Sequence, residues 1–294
     1  MTISPCGPVD PDIAMLLVQS VDGKQPLGLL SNFALHLDTV GGTLWSADYP
    51  YFIEQGIRRS LGGDVVSIFA TGCCGDINHV DPASKERNKT DFIGGSLART
   101  IEKNLDQLRP IQNPRLRIRH TTVRLPLQKV STEQVARARP MLLDAREGKK
   151  TDFFDLVNAY KAVVLDQVRN KKPQGKPVDF INWGLTHTWA GIGEHLPVEV
   201  QAIALGNDVG IVCLPGEVFV ELGLSIKQAS PFRTTLVIEL SNCVETMYIP
   251  TRAAYAGGSY EVTNSATQPG SGEMLVEAAI GLLRDLASDK KQTR

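Results

Sequence analysis

Apolar positions along the chain fall into short strand-like and longer helix-like stretches. Residues 13–19 are apolar, a turn follows at Asp22-Gly23, and a second extended stretch covers 26–36. Together they predict a hairpin of largely buried strands. Helical spacing over 51–61 stops at Gly62-Gly63, a natural helix end. A β-rich run at 65–70 leads to Gly72, residues 91–108 predict a helix closed by Pro110, and 115–127 alternate as a half-exposed strand does. Two helices are predicted between 131 and 176, over 132–146 and 152–168. A Ser131-Thr132-Glu133-Gln134 capping box opens the first, and Pro140 is expected to kink or split it. The last third predicts strands 198–205 and 209–214 about a Gly206-Asn207-Asp208 turn, then an amphipathic helix at 217–228. A strand at 235–240, a long loop at 241–268 and a helix at 271–286 capped by Ser271 complete the chain. Strands and helices alternate without a regular βαβ repeat. The predicted fold is therefore α/β (α+β): layered mixed β-sheets flanked by helices, in a single catalytic-type domain over 1–294.

Charge narrows the partners. The 294 residues carry 31 Lys+Arg against 32 Asp+Glu, a net charge of −1. Non-specific nucleic-acid binding depends on excess basic charge, so no nucleic-acid partner is expected. No apolar run approaches the roughly 20 residues of a membrane-spanning helix. The first residues show neither the basic nor the apolar segment of a signal peptide. One region departs from neutrality: residues 131–176 hold ten Lys and Arg against six Asp and Glu, locally +4. This basic helical pair reads as a solvated surface. The five cysteines (Cys6, Cys73, Cys74, Cys213, Cys243) form no CxxC spacing. Cys213 and Cys243 read as buried thiols.

Polar residues concentrate directly after the predicted strands, where rigid elements present functional groups. These segments are 32–39 with 46–49, 70–79, and 214–217 resuming at 248–252. A histidine and a glutamate at strand ends are possible ligands for a metal such as Zn²⁺, yet a lone strand-end histidine also reads as a hydrogen-bonded structural residue. Glu217, just after Pro215-Gly216, reads equally well as a helix-start carboxylate. Asp76 after Gly75 reads as a turn or cap residue. His120, in an alternating strand, is expected to be exposed. His187 and His195, in a Trp-containing stretch, read as packing or pocket residues.

In sequence order, the runs FALHLDTVGG, SADYPYFIEQ and VVSIFATGCCGDINHVDP resemble the catalytic domain of the neutral, non-lysosomal ceramidase family. LPGEVFVELGLSIKQASPFRTTLVIELSNCVETMYIPTRAAYAGGSYEV is similar to the same family, and the resemblance is nearest its bacterial ceramidase-like members. It covers about residues 10–286 and is least distinctive over 131–194. What it implies is a zinc amidohydrolase acting on a small-molecule or lipid N-acyl substrate. By resemblance, His36, Glu217 and Tyr248 match metal ligands, and Arg252 and Tyr255 orient substrate. The family's first histidine lies in an H-x-H-S-G-P motif well upstream of the His36 strand. Only 35 residues precede His36 and none is histidine, so the front of the domain, and any leader with it, is expected to be missing. His79 is the candidate to complete the metal site. The family's G-D-x-S-P serine is replaced by Asn78, which is no nucleophile. Asn78 and Asp76 are then expected to position water, and ceramide itself is not the expected substrate. The alternative expectation is a truncated, catalytically silent member acting as a binding or scaffold protein.

Overall fold

The computed structural model describes residues 7–80, 88–170, 189–242 and 247–288. Strand β1 (Ala14–Gln19) pairs antiparallel with β2 (Pro26–Phe33), and β2 pairs parallel with β3 (Val66–Thr71), which places Phe33 beside Thr71. A second sheet has the order β4 (Leu116–Pro126), β5 (His195–Leu205), β6 (Val209–Cys213) and β8 (Thr234–Ile238). Its first three strands are antiparallel neighbours, whereas β6 and β8 run parallel, with Cys213 beside Ile238. The two-residue strands β7 (Glu217–Val218) and β9 (Tyr248–Ile249) form a small parallel pair. The expected mixed α/β architecture is therefore the observed one.

The layering follows from strand alternation. In β5, Leu196, Val198, Val200, Ala202 and Ala204 are buried on one face, against the C-terminal helix α8 (Ser271–Ser288) and helix α5 (Val220–Ala229). The opposite face presents Ile203 and Leu205, which join Val209, Ile211 and Leu236 against Ala14 and Leu30 of the first sheet. The two sheets therefore pack face to face. Helices α1 (Asp48–Leu61) and α2 (Thr90–Lys103) cover the outer face of the first sheet with Tyr49, Ile53, Ile57, Ile93 and Ile101. Among the described residues, no helix is long and apolar enough to cross a membrane.

The basic pair consists of α3 (Thr132–Arg146) and α4 (Phe153–Asn170). Ala138, Leu142, Ala159, Val163 and Val164 join the main core, which leaves the basic residues largely to the outer faces. The expected capping box forms: Ser131 Oγ accepts from Gln134 N at 3.2 Å and Gln134 Oε1 accepts from Ser131 N at 2.8 Å. Pro140 does not split α3, because core contacts on either side of it hold one helix together.

Several boundaries differ from expectation. The helix expected over 91–108 ends at Lys103 and gives way to a 3₁₀ turn, Leu105–Gln107. The loop expected over 241–268 contains β9 and two short helices, α6 (Ala254–Gly257) and α7 (Tyr260–Asn264). Glu217 does not open a helix. Its N–H donates to Met247 O at 2.8 Å, and Phe219 N donates to Ile249 O at 3.1 Å, so pairing with a distant segment holds it extended. Helix α5 starts at Val220, whose N–H is accepted by Asp76 Oδ1 at 2.7 Å. The capping group lies 144 residues away in sequence, beyond the reach of any local helix signal.

Candidate active site

Both parallel strand pairs, β2/β3 and β6/β8, end on the same side of the molecule. Asn32 Nδ2 donates to Ala70 O at 2.9 Å and Val237 O at 3.2 Å, while Glu239 N donates to Thr71 O at 3.0 Å. Four loops thus leave the carboxyl ends of parallel strands together, the usual place for a ligand site in open α/β sheets. His36 follows β2, residues 72–79 follow β3, Glu217 follows β6, and Glu239 to Tyr248 follow β8.

His36 Nε2 lies 3.2 Å from Glu217 Oε2, and the two side chains are 19% and 29% exposed. Its other ring nitrogen, Nδ1, sits 3.0 Å from Ile77 O. The Tyr248 ring stacks on the imidazole at 6.4 Å between centroids with planes 20° apart. Direct pairing of Glu217 with Tyr248 in the β7/β9 register sets those two side chains together, close enough for the Glu217 charge to act on the Tyr248 phenol. Gly75 allows the β3 loop to approach: its N–H donates to Val218 O at 2.9 Å, and a Cβ there would lie 2.5 Å from Glu217 O.

The electrostatics follow the same contacts. Burial disfavours the charged form of His36, but the hydrogen bond and charge of Glu217, with Asp38 and Glu239 adding, raise its pKa to about 9. Burial and the Glu217 charge push the Tyr248 phenol upward, which keeps it protonated. Partial burial also raises Asp76, offset by the hydrogen bond it accepts from Val220.

The remaining expected residues lie as follows. Asn78 is exposed on the β3 loop. The His79 side chain is fully enclosed, with Nε2 2.9 Å from Asp38 Oδ1. That contact lacks hydrogen-bond geometry, and both ring nitrogens are without a hydrogen-bond partner. The Tyr255 hydroxyl donates to Thr267 O at 2.8 Å and lies 2.8 Å from Ser265 Oγ, so it braces its own loop. Arg252 is exposed, and its backbone N–H donates to Glu273 Oε1 at 2.8 Å. His195 begins β5, and exposed His120 faces Glu199 at 3.6 Å. His187 and Cys243 lie outside the described residues.

Do these donors suit zinc? Two ligands at zinc distances, about 2.0–2.2 Å, stand roughly 3.3 Å apart across a tetrahedral edge. The 3.2 Å between His36 Nε2 and Glu217 Oε2 fits that edge. A backbone carbonyl at Nδ1 favours the tautomer that leaves Nε2 free for a metal. With the Tyr248 oxygen this makes three donors, the usual protein complement of a catalytic zinc. Among the described residues, no group of three or more His, Cys, Asp or Glu side chains is gathered to hold a metal ion, so His79 does not join His36 and Glu217 in such a group.

One residue escaped the sequence reading. Glu239 follows the buried run Thr235-Leu236-Val237 and the half-buried Ile238, and is only 3% exposed. A carboxylate flanked by apolar residues at the end of a core strand was the available signal, since isolated glutamates are rarely buried. Burial raises its pKa to about 8, against the hydrogen bonds it accepts from Cys74 and Val218 and the nearby His36.

No family model matches the chain, and no curated protein matches it. Solved structures do. Neutral ceramidase from Pseudomonas aeruginosa superposes with a TM-score of 0.62 at 15% identity, over 96% of this chain and 47% of that one. A ceramidase complexed with C2 gives a TM-score of 0.63 at 14% identity, over 96% and 48%. The chain spans about half the length of these solved relatives. Its fold is similar to that of these ceramidases.

Proposed function

We propose that the strand-end cluster is a zinc site and that the chain hydrolyses an amide or related carbonyl bond in an N-acyl substrate with an apolar chain. The observation that carries this reading is the convergence of His36, Glu217 and Tyr248, with the imidazole oriented by Ile77 O. Bound zinc would polarise the scissile carbonyl and supply hydroxide near neutral pH. His36, Glu217 and Tyr248 would hold the metal, whose charge would draw the proton from the Tyr248 phenol. Asp76 caps α5 with Oδ1, which leaves its second oxygen and the exposed Asn78 amide to order water.

Features beside the cluster support an apolar substrate. Tyr260 meets Tyr248 edge-on at 5.8 Å, Phe153 stacks on Tyr260 at 5.8 Å, and Phe154 meets Phe153 at 5.5 Å. Tyr260, Phe153 and Phe154 are exposed, and such contiguous apolar surface commonly marks a binding site. Phe153, Leu156, Val157 and Tyr160 share one face of α4 by helical spacing. The last three line a cavity of about 600 Å³ with Leu142 and Ala145.

Purified protein is expected to carry about one zinc per chain and to release fatty acid from N-acyl lipids faster than acetate from N-acetyl amino acids, with chelator stopping both. Zinc-free wild type, or hydrolysis indifferent to chelator, overturns the proposal. A second reading is a silent binding protein, favoured by Asn78 where the resembled family carries its serine. Zinc-loaded protein that binds N-acyl lipid without turnover would decide for it.

A further inference from the structure

Glu239 is built into the site from behind. Its Oε2 accepts from Val218 N at 2.7 Å and Cys74 N at 3.2 Å, and its Oε1 lies 3.0 Å from Cys74 Sγ. Both partner segments bear on the proposed metal site. Val218 adjoins Glu217. Cys74 O accepts from Ile77 N at 2.9 Å, and Ile77 O in turn orients His36. The main chain that carries the carboxylate is itself anchored, since Glu239 N donates to Thr71 O at 3.0 Å and Leu240 N donates to Gly216 O at 3.1 Å. Without the carboxylate, two buried N–H groups would lose their acceptor, a cost that native structures rarely carry.

The geometry points to Glu239 as a positioning residue: one buried carboxylate oxygen clamps the Cys74–Ile77 turn to β7 and thereby sets the spacing of His36 from Glu217. This role rests on the zinc reading above, but the clamp can be measured without metal. It requires an acceptor at a fixed reach and does not require a charge. Glu239→Gln keeps such an oxygen in place, whereas Glu239→Asp withdraws it by one methylene.

The test compares wild type, E239Q and E239D by two readouts. Amide hydrogen exchange over residues 72–78 and 216–222 reads the clamp in metal-free protein. Cobalt titration, followed by visible absorption, reads the ligand spacing. E239D is expected to speed exchange in both segments about tenfold and to weaken cobalt binding by about 10- to 100-fold, the usual range for lost outer-shell support. E239Q should stay within about threefold of wild type on both. Wild-type behaviour of E239D, or an E239Q as impaired as E239D, overturns the clamp. Wild type that takes up no cobalt while exchange follows the expected order overturns the zinc reading and upholds the clamp.

Discussion

The strand-end cluster and the α3–α4 pair are held to the molecule in different ways. His36, Glu217 and Tyr248 come from three separate parts of the chain, and backbone registers fix each one: β2 against β3, β7 against β9, with Glu239 between them. The helical pair is contiguous in sequence and is held by side chains, through residues such as Ala138, Leu142, Val163 and Leu165. Hydrogen-bonded registers place atoms to a fraction of an ångström. An apolar seam places a helix more loosely and leaves room for a cavity. A reacting carbonyl needs the first kind of support, and an apolar chain of variable length is served by the second.

The comparison predicts that the two regions fail independently. The largest effect is expected at the cluster: His36→Ala or Glu217→Ala should abolish stoichiometric zinc uptake, measured by elemental analysis, while the folded signal in circular dichroism persists. Next comes the helical pair. Leu165→Ala, at a site 2% exposed, should cost about 2–4 kcal/mol in denaturant unfolding and leave zinc content unchanged. Loss of zinc in that variant would break the separation.

A pH series sharpens the contrast further. His36 and Glu239 both have folded-state pKa values raised, to about 9 and about 8. The native state therefore holds these protons more tightly than the unfolded chain. Their stabilising contribution is complete below the unfolded values and is lost as pH rises through 8 and then 9. Metal-free protein should lose about 3–6 °C of Tm between pH 6 and pH 9. Glu239→Gln should flatten the part of that slope that lies below about pH 8, and an unchanged slope counts against a buried, titrating Glu239. The smallest effect belongs to α3: Ser131→Ala removes the capping box and should cost about 1 kcal/mol, with no change in zinc affinity.

Local signals were enough for the helical pair. Its capping box and apolar spacing lie within a few residues of the structure they produce, and Pro140 misled only because tertiary contacts outweighed it. The cluster was legible in part. His36 and Glu217 stand at strand ends where chemistry is usually presented, yet spacing alone left them equally readable as structural residues. Motif resemblance singled out Tyr248 beside them. Its pairing with Glu217 was hidden, because a two-residue strand has no periodicity to detect. Short helices α6 and α7 were missed for the same reason, being too brief to nucleate alone. Glu239 was passed over because its partners, Cys74 and Val218, lie 165 and 21 residues away.

The sequence by itself determined the layered α/β class, the order of most strands and helices, and the near-neutral charge. Those properties follow from periodicity and composition, which are local or additive. Only the tertiary structure decided that two parallel strand pairs end side by side, that Glu217 lies in a strand, and that a sealed carboxylate joins the loops behind it. Each of these depends on hydrogen bonds between residues far apart in the chain, and no pattern read along one segment contains its distant partner.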